Sequence, residues 1–309
     1  MIPINFNELQ NFEMIKDKGV ICCGDSLNLL KSISDNSIEA CITDPPYFID
    51  GMGSNWNVDE LNANHSNRVT ALPAGMKFDV QQGRDLQEFM EKISKEVYRI
   101  LKPGGFYLCF SQGRLYHRMA IALENCNFEI RDLLIWERNG QPKAFSMDHL
   151  VNKLNCTEVE KQNILNIIGN RKTPQVRCIS EPIVVAQKPK EGTFIDNYLK
   201  YGVGLIDTSV QINSETVTTI LKVPRPNKQE WNQHSHLTMK PIELIQYLIK
   251  IYTKENDIIL DPFLGSGTTA IACLNTKRNF IGFELNSQYY EESIKRIKNH
   301  FMKVNNRLF

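Results

Sequence analysis

No apolar run among the 309 residues reaches the roughly 18 positions that a bilayer-crossing helix requires. The opening MIPINFNELQ has neither a basic stretch before an apolar core nor an Arg-rich amphipathic pattern, so it does not read as a targeting segment. A soluble, cytoplasmic chain with no membrane partner is expected. An excess of one charge is also missing. Lys and Arg number 36 against 35 Asp and Glu, for a formal charge of +1, so any nucleic-acid surface must be a local patch. Eight cysteines, at 22, 23, 41, 109, 126, 156, 178 and 273, form no CxxC pair and no Cys/His cluster with metal-ligand spacing, so no metal site is expected. Cys41 and Cys109 sit inside apolar runs, as buried free thiols do. Internal repeats and low-complexity tracts are absent.

With 42% hydrophobic and 23% charged residues, the chain suits one sizeable globular domain with an insertion, or two modest domains. Short apolar runs that end in Gly, Asp or Pro alternate with helix-period segments, the pattern of an α/β fold with a mostly parallel sheet. Val20-Ile21-Cys22-Cys23 closes on Gly24-Asp25, and Ile38-Glu39-Ala40-Cys41-Ile42 closes on Thr43-Asp44-Pro45-Pro46-Tyr47. Residues 48–84 show no sustained period and predict a long loop, a length that is usually functional or disordered. A helical face from Leu86 to Leu101 follows, stopped by Lys102-Pro103-Gly104-Gly105 before the strand Phe106 to Phe110. A helix around Leu115 to Leu123 leads to a strand from Ile130 to Trp136. Residues 139–233 carry short strand candidates such as Ile183 to Ala186 among polar stretches, and read as an inserted module. The α/β punctuation resumes with a helix over 241–252, the strand Ile258-Ile259-Leu260, a helix, the strand Phe280 to Glu284 and a final helix.

Asp44-Pro45-Pro46-Tyr47 lies just past a buried strand, where open α/β sheets hold their ligands. An aryl amine is a poor nucleophile because its lone pair is delocalised, so alkylating it requires an acceptor for the charge developing on nitrogen. Asp44 can be that acceptor. Pro45 has a fixed φ and no N–H, so its carbonyl can be held as a second one. Tyr47 offers a flat face on which an extruded base can stack. A strand-end turn, capped by Asp and stiffened by two prolines, is the plain alternative.

The run Asp261-Pro262-Phe263-Leu264-Gly265-Ser266-Gly267-Thr268-Thr269 also follows a strand and opens a helix, an arrangement in which glycines let a ligand approach the backbone. It lacks the Lys of a P-loop, and its Asp-Pro-Phe start is atypical of a dinucleotide fingerprint. Glu284 ends the next strand, where a carboxylate can hold both hydroxyls of a ribose. A solvated strand-end Glu is the alternative.

On these motifs the chain resembles the amino-group DNA methyltransferases, of the subtype whose catalytic Asp-Pro-Pro-Tyr half comes first, target recognition second and cofactor motif last. His236-Leu237-Thr238-Met239-Lys240-Pro241 is similar to a further segment of that family, with Leu237 in place of the usual proline. The resemblance implies a doubly wound methyltransferase sheet, with a catalytic half over 1–138, a target-recognition insert over 139–233 and a cofactor-binding half over 234–309. It also implies S-adenosylmethionine as cofactor, with Asp25 at its adenine, Glu284 at its ribose and Phe263 packed against it. Lys240 and Thr268 then lie near its methionine end, within a site completed by Asp261, Gly265, Ser266 and Gly267. Double-stranded DNA is the implied partner, and a cognate restriction endonuclease and a homodimer are compatible with it. The implied reaction is methylation of adenine N6 after base flipping. Separately, the length and glycines of residues 48–84 predict a loop that closes over the flipped base or the DNA and is mobile without it.

Cytosine N4 is the alternative target, although its enzymes more often carry Ser where Asp44 stands. Relatives acting on RNA or on protein glutamine usually have the opposite motif order and no insert. A catalytically silent DNA-binding relative also stays open, against which the intact Asp44 and cofactor loop weigh. The absence of a Pro-Cys dipeptide fits chemistry without a covalent enzyme–base intermediate.

Overall fold

Every residue of Ile38–Thr43 is buried, which a strand can be only when both faces of its sheet are covered. The computed structural model describes residues 2–47, 80–138, 140, 144, 146–174, 176–212, 214–226 and 239–305. Among them the strands are β1 (Phe12–Ile15), β2 (Gly19–Cys23), β3 (Ile38–Thr43), β4 (Leu101–Phe110), β5 (Glu129–Glu137), β6 (Ser180–Gln187), β7 (Ile220–Lys222), β8 (Ile258–Asp261) and β9 (Asn279–Glu284). They form one sheet in the order β1-β2-β9-β8-β3-β4-β6-β5-β7. Strands β2, β9, β8, β3 and β4 are mutually parallel. Two strands run against them: β1 at the edge and β6 between β4 and β5.

The longer helices are α1 (Val80–Ile100), α2 (Tyr116–Asn125), α3 (Glu158–Ile168), α4 (Phe194–Tyr201), α5 (Ile242–Tyr252), α6 (Thr268–Asn275) and α7 (Ser287–Asn305). Alternation along β4 divides the core. Phe106, Leu108 and Phe110 join Leu248 of α5 and Ile271 of α6 on one face. Tyr107 and Cys109 join Met90 of α1 and Met119 of α2 on the other. Helices thus cover both faces of a mostly parallel sheet, the doubly wound architecture expected. Cys22, Cys41, Cys109 and Cys273 are buried and in no disulfide, as expected of core thiols.

Several expected boundaries move. Helix α1 begins at Val80, so 80–84 is helix and not the tail of a loop. Gln82 and Gly83 are buried there, with Gly83 close against Arg118 of α2, a packing that no apolar period reveals. Residues 48–79, including Trp56 and the rest of the expected closing loop, lie outside the described residues. Lys102-Pro103-Gly104-Gly105 does not separate helix from strand but lies within β4. Main-chain bonds from Gly104 N to Lys188 O (3.0 Å) and from Lys188 N to Gly105 O (2.9 Å) hold it in place. Strands β1 and β7 were not expected. Strand β6 falls inside 139–233 yet is bonded on both sides in the sheet, to β4 and to β5. No helix among the described residues is long and apolar enough to cross a membrane.

Candidate active site

Because β2, β9, β8 and β3 are neighbours running the same way, their carboxyl ends share one edge. Each ends on or just before a carboxylate: Asp25 after β2, Glu284 on β9, Asp261 on β8 and Asp44 after β3. At the usual spacing between strands this row spans about 14 Å. All four carboxylates line one cavity of about 620 Å³, together with Pro45, Pro46, Tyr47, Lys240, Phe263, Gly265, Ser266 and Thr268.

The 261–269 loop is shaped mainly through its backbone. Leu264 N donates to Phe283 O (2.8 Å), and Gly265 N donates to Glu284 Oε2 (2.8 Å). The other Glu284 oxygen accepts from Asn286 N at 2.9 Å. Glu284 is therefore a fastener of the glycine loop and not a solvated strand end. Burial raises its pKa, and those backbone donors oppose the rise. Gly267 caps α6 at φ 78°, and a Cβ there would stand 2.8 Å from Ile297 of α7. It alone of the expected site residues does not line the cavity; it lies behind the loop and lets the chain turn into the helix. Gly282 has a similar use, since its missing Cβ leaves room for Leu264, which would otherwise be met at 2.8 Å. From α7, Arg296 donates to Ser266 O (2.7 Å) and Thr268 Oγ1 (3.1 Å). Phe263 packs its ring on Phe89 of α1, with centroids 5.8 Å apart. Asp25 caps the one-turn helix Ser26–Leu29, accepting from Leu27 N at 2.8 Å.

At the other end, Thr43 Oγ1 donates to Asp261 Oδ1 (2.7 Å), tying β3 to β8. Burial pushes the Asp261 carboxyl up to about 6, against the hydrogen bonds it accepts from Thr269, Thr43 and Phe263 N. Asp44 has both oxygens engaged: the Tyr47 hydroxyl donates to Oδ1 and the Lys240 ammonium to Oδ2. Burial, then the adjacent Asp44, hold the Tyr47 phenol well above its ordinary pKa. Lys240 precedes α5 and also reaches Glu181 Oε1 at 2.8 Å, with its ammonium 5.0 Å from the Phe110 ring centroid. Burial alone would lower the Lys240 pKa, but Asp44 and Glu181 outweigh it and the net shift is upward. His236, Leu237 and Thr238 lie outside the described residues, while Met239 and Lys240 line the cavity.

The cavity edge thus gathers every expected site residue except Gly267. Sequence reasoning missed Phe89, Glu181 and Arg296. Phe89 was read only as part of a helical face, and Arg296 lies on a terminal helix with no motif. Glu181 precedes a strand candidate in a segment without any recognisable pattern, so nothing in the sequence marked it.

A model of the N6/N4 methyltransferase family, described as DNA methylase, matches residues 38–295. The Type II methyltransferase M.HindIII of Haemophilus influenzae is 32% identical over 299 residues, covering 88% of this chain and 93% of that protein. M.HinfI, from the same species, is 25% identical, covering 96% of this chain and 71% of its own. Among solved structures, the cytosine-N4-specific PvuII DNA methyltransferase superposes with a TM-score of 0.61 at 16% identity, covering 94% of each chain. The M1.HpyAVI–SAM complex does so at 0.55 and 22% identity, covering 90% of this chain and 98% of its own. Two strand-end motifs on one sheet edge, matched by a family model that spans both, establish that this chain belongs to the N6/N4 DNA methylase family.

Proposed function

We propose that this chain methylates adenine N6 in double-stranded DNA, using S-adenosylmethionine and drawing the target base out of the helix. The observation that carries the reading is the row of strand ends, which leads from a nucleoside-type cradle at Asp25 and Glu284 to a partly buried acceptor, Asp44. The cradle suits the cofactor: Glu284 is aimed by two backbone N–H groups and Phe263 offers an apolar ring. Gly265, Ser266 and Thr268 line the cavity between Glu284 and Asp44, and Asp261 closes its floor. Bound there, S-adenosylmethionine supplies an electrophilic methyl on its sulfonium.

The rest falls to the chain's own residues. Asp44 Oδ1 and the Pro45 carbonyl accept the two hydrogens of the incoming amine, stabilising positive charge as its nitrogen turns tetrahedral. Pro46 stiffens the turn, and Tyr47 exchanges its bond to Asp44 for a stacking contact with the base. Extruding that base costs a few kcal/mol. Target recognition belongs to the parts of 139–233 outside β6 and α4, where exposed Arg171, Lys172 and Lys222 can meet phosphates. The likeness to Type II methyltransferases makes a cognate restriction endonuclease the natural partner, and the Asp-first motif order fits the subtype described above.

The reading is tested by incubating the protein with mixed-sequence duplex DNA and tritium-methyl cofactor, then digesting to nucleosides. Label in N6-methyladenine is expected; label in N4-methylcytosine would overturn the adenine assignment, and no label would overturn the enzyme.

A further inference from the structure

In a parallel sheet only strand ends reach the active edge, but β6 runs backwards. Its register pairs Phe110 with Ile183, so its first residues, Ser180 and Glu181, stand where β4 finishes. Ser111 N bonds Pro182 O at 2.9 Å and secures that placement. The reversed strand therefore delivers a carboxylate to the edge by its beginning. Glu181 Oε1 lies 2.8 Å from Lys240 Nζ, and Oε2 lies 3.1 Å from Nε of Arg138, which follows β5. Arg138, Glu181, Lys240 and Asp44 so form a row of alternating charge that sums to zero, with side chains 21%, 12%, 9% and 20% exposed.

A lysine alone is a poor clamp, because a compact charge on a flexible four-carbon stem has no fixed direction. Lys240 has one only because Glu181 faces Asp44 across it and the Phe110 ring lies alongside. We propose that Glu181 is a positioning residue for methyl transfer, holding Lys240 against Asp44 Oδ2 so that Oδ1 is the oxygen offered to the amine. This rests on the reading of Asp44 as the amine acceptor. The two Asp44 contacts then differ in kind. The Tyr47 hydroxyl on Oδ1 is local and exchanges for substrate, whereas the Lys240 ammonium on Oδ2 is anchored from a distant strand and stays.

The test is single-turnover methylation of duplex DNA at saturating cofactor by Glu181→Gln, Lys240→Met and the double variant, with cofactor affinity measured by calorimetry. Glu181→Gln is expected to lower the rate by about tenfold or more while cofactor affinity stays within about twofold, the signature of an interaction used in the transition state. In the Lys240→Met background the same substitution is expected to change the rate less than about twofold, because Glu181 acts only through the ammonium. A wild-type rate for Glu181→Gln would overturn the proposal, as would equal losses in both backgrounds. If the amide variant melts below assay temperature, Glu181→Asp replaces it, keeping the charge but withdrawing the carboxylate by one methylene. A loss of about threefold at unchanged cofactor affinity is then expected, and a wild-type rate would overturn the proposal. Asp44→Ala, run alongside, separates the two claims: if it turns over normally, the acceptor reading fails whatever Glu181 does.

Discussion

The two ends of the cavity are built by different means. The 261–269 loop is fastened by main-chain bonds, by glycines and by two side chains that follow it in sequence, Glu284 and Arg296, 19 and 30 residues beyond the groups they hold. The Asp44 end is ionic and long-range, assembled from residues 44, 181 and 240 on three separate segments. A backbone cradle holds one shape with or without its ligand, which suits ground-state binding. A cluster of opposite charges stabilises a developing charge and contributes to the rate. The difference predicts that binding and turnover separate by region.

The largest expected effect is at the ionic end. Asp44→Ala should lower the single-turnover rate by about 10²–10⁴-fold, with cofactor affinity within a few-fold, and Asp44→Asn should be nearly as slow. Loss of cofactor binding by Asp44→Ala would erase the distinction. The converse holds at the cradle. Glu284→Ala removes a carboxylate that holds two backbone donors, and should weaken cofactor binding by about 10–100-fold, as calorimetry would read it, while turnover at saturating cofactor is largely kept.

Gly267→Ala sharpens the comparison through stability. With φ at 78° and Ile297 in the way, it should cost about 1–3 kcal/mol in urea unfolding. An unshifted midpoint would mean that the loop is not held by its backbone as described. Asp261 lies where the two regions meet, and its raised pKa carries a definite sign. The folded state prefers the protonated carboxyl, so Asp261 costs no stability below its ordinary value of 3.8 and progressively more as pH rises to about 6. Asp261→Asn cannot ionise, so its melting temperature relative to wild type should rise across that window and level off above it. A difference independent of pH would show that Asp261 ionises as freely folded as unfolded. The smallest effect is expected of Tyr47→Phe, which should keep most single-turnover activity if the ring acts by stacking. Tyr47→Ala should lose about 1–3 kcal/mol of base binding, measurable as weaker affinity for cognate DNA.

Legibility in the sequence follows the same division. The strands β2, β3, β8 and β9 announce themselves because a strand buried on both faces is mostly apolar, Glu39 inside β3 being an exception, and each ends on or shortly before a Gly, Asp or Glu that breaks the run. The residues of the cradle lie within a few positions of those ends. The start of α1 was hidden because Gln82 and Gly83 are buried by contact with α2, and polar residues carry no apolar period. The two antiparallel strands were harder still. β1 is half-exposed at an edge, and β6 looked like part of an insert because its neighbours in the sheet, β4 and β5, precede it in sequence by a long and polar stretch.

By itself, then, the sequence determined the sheet class, the two strand-end motifs and the chemistry each can perform, since these depend on local periodicity and on residue types at fixed offsets. Only the tertiary structure decided that Asp44 and Asp261 stand at the ends of adjacent strands, that Glu284 fastens the glycine loop, and that Lys240 pairs with Asp44 while Glu181 lies on its other side. Strand order and strand direction are set by packing between segments far apart in the chain, and a charge placed on the active edge by a reversed strand leaves no period, spacing or motif from which it could be read.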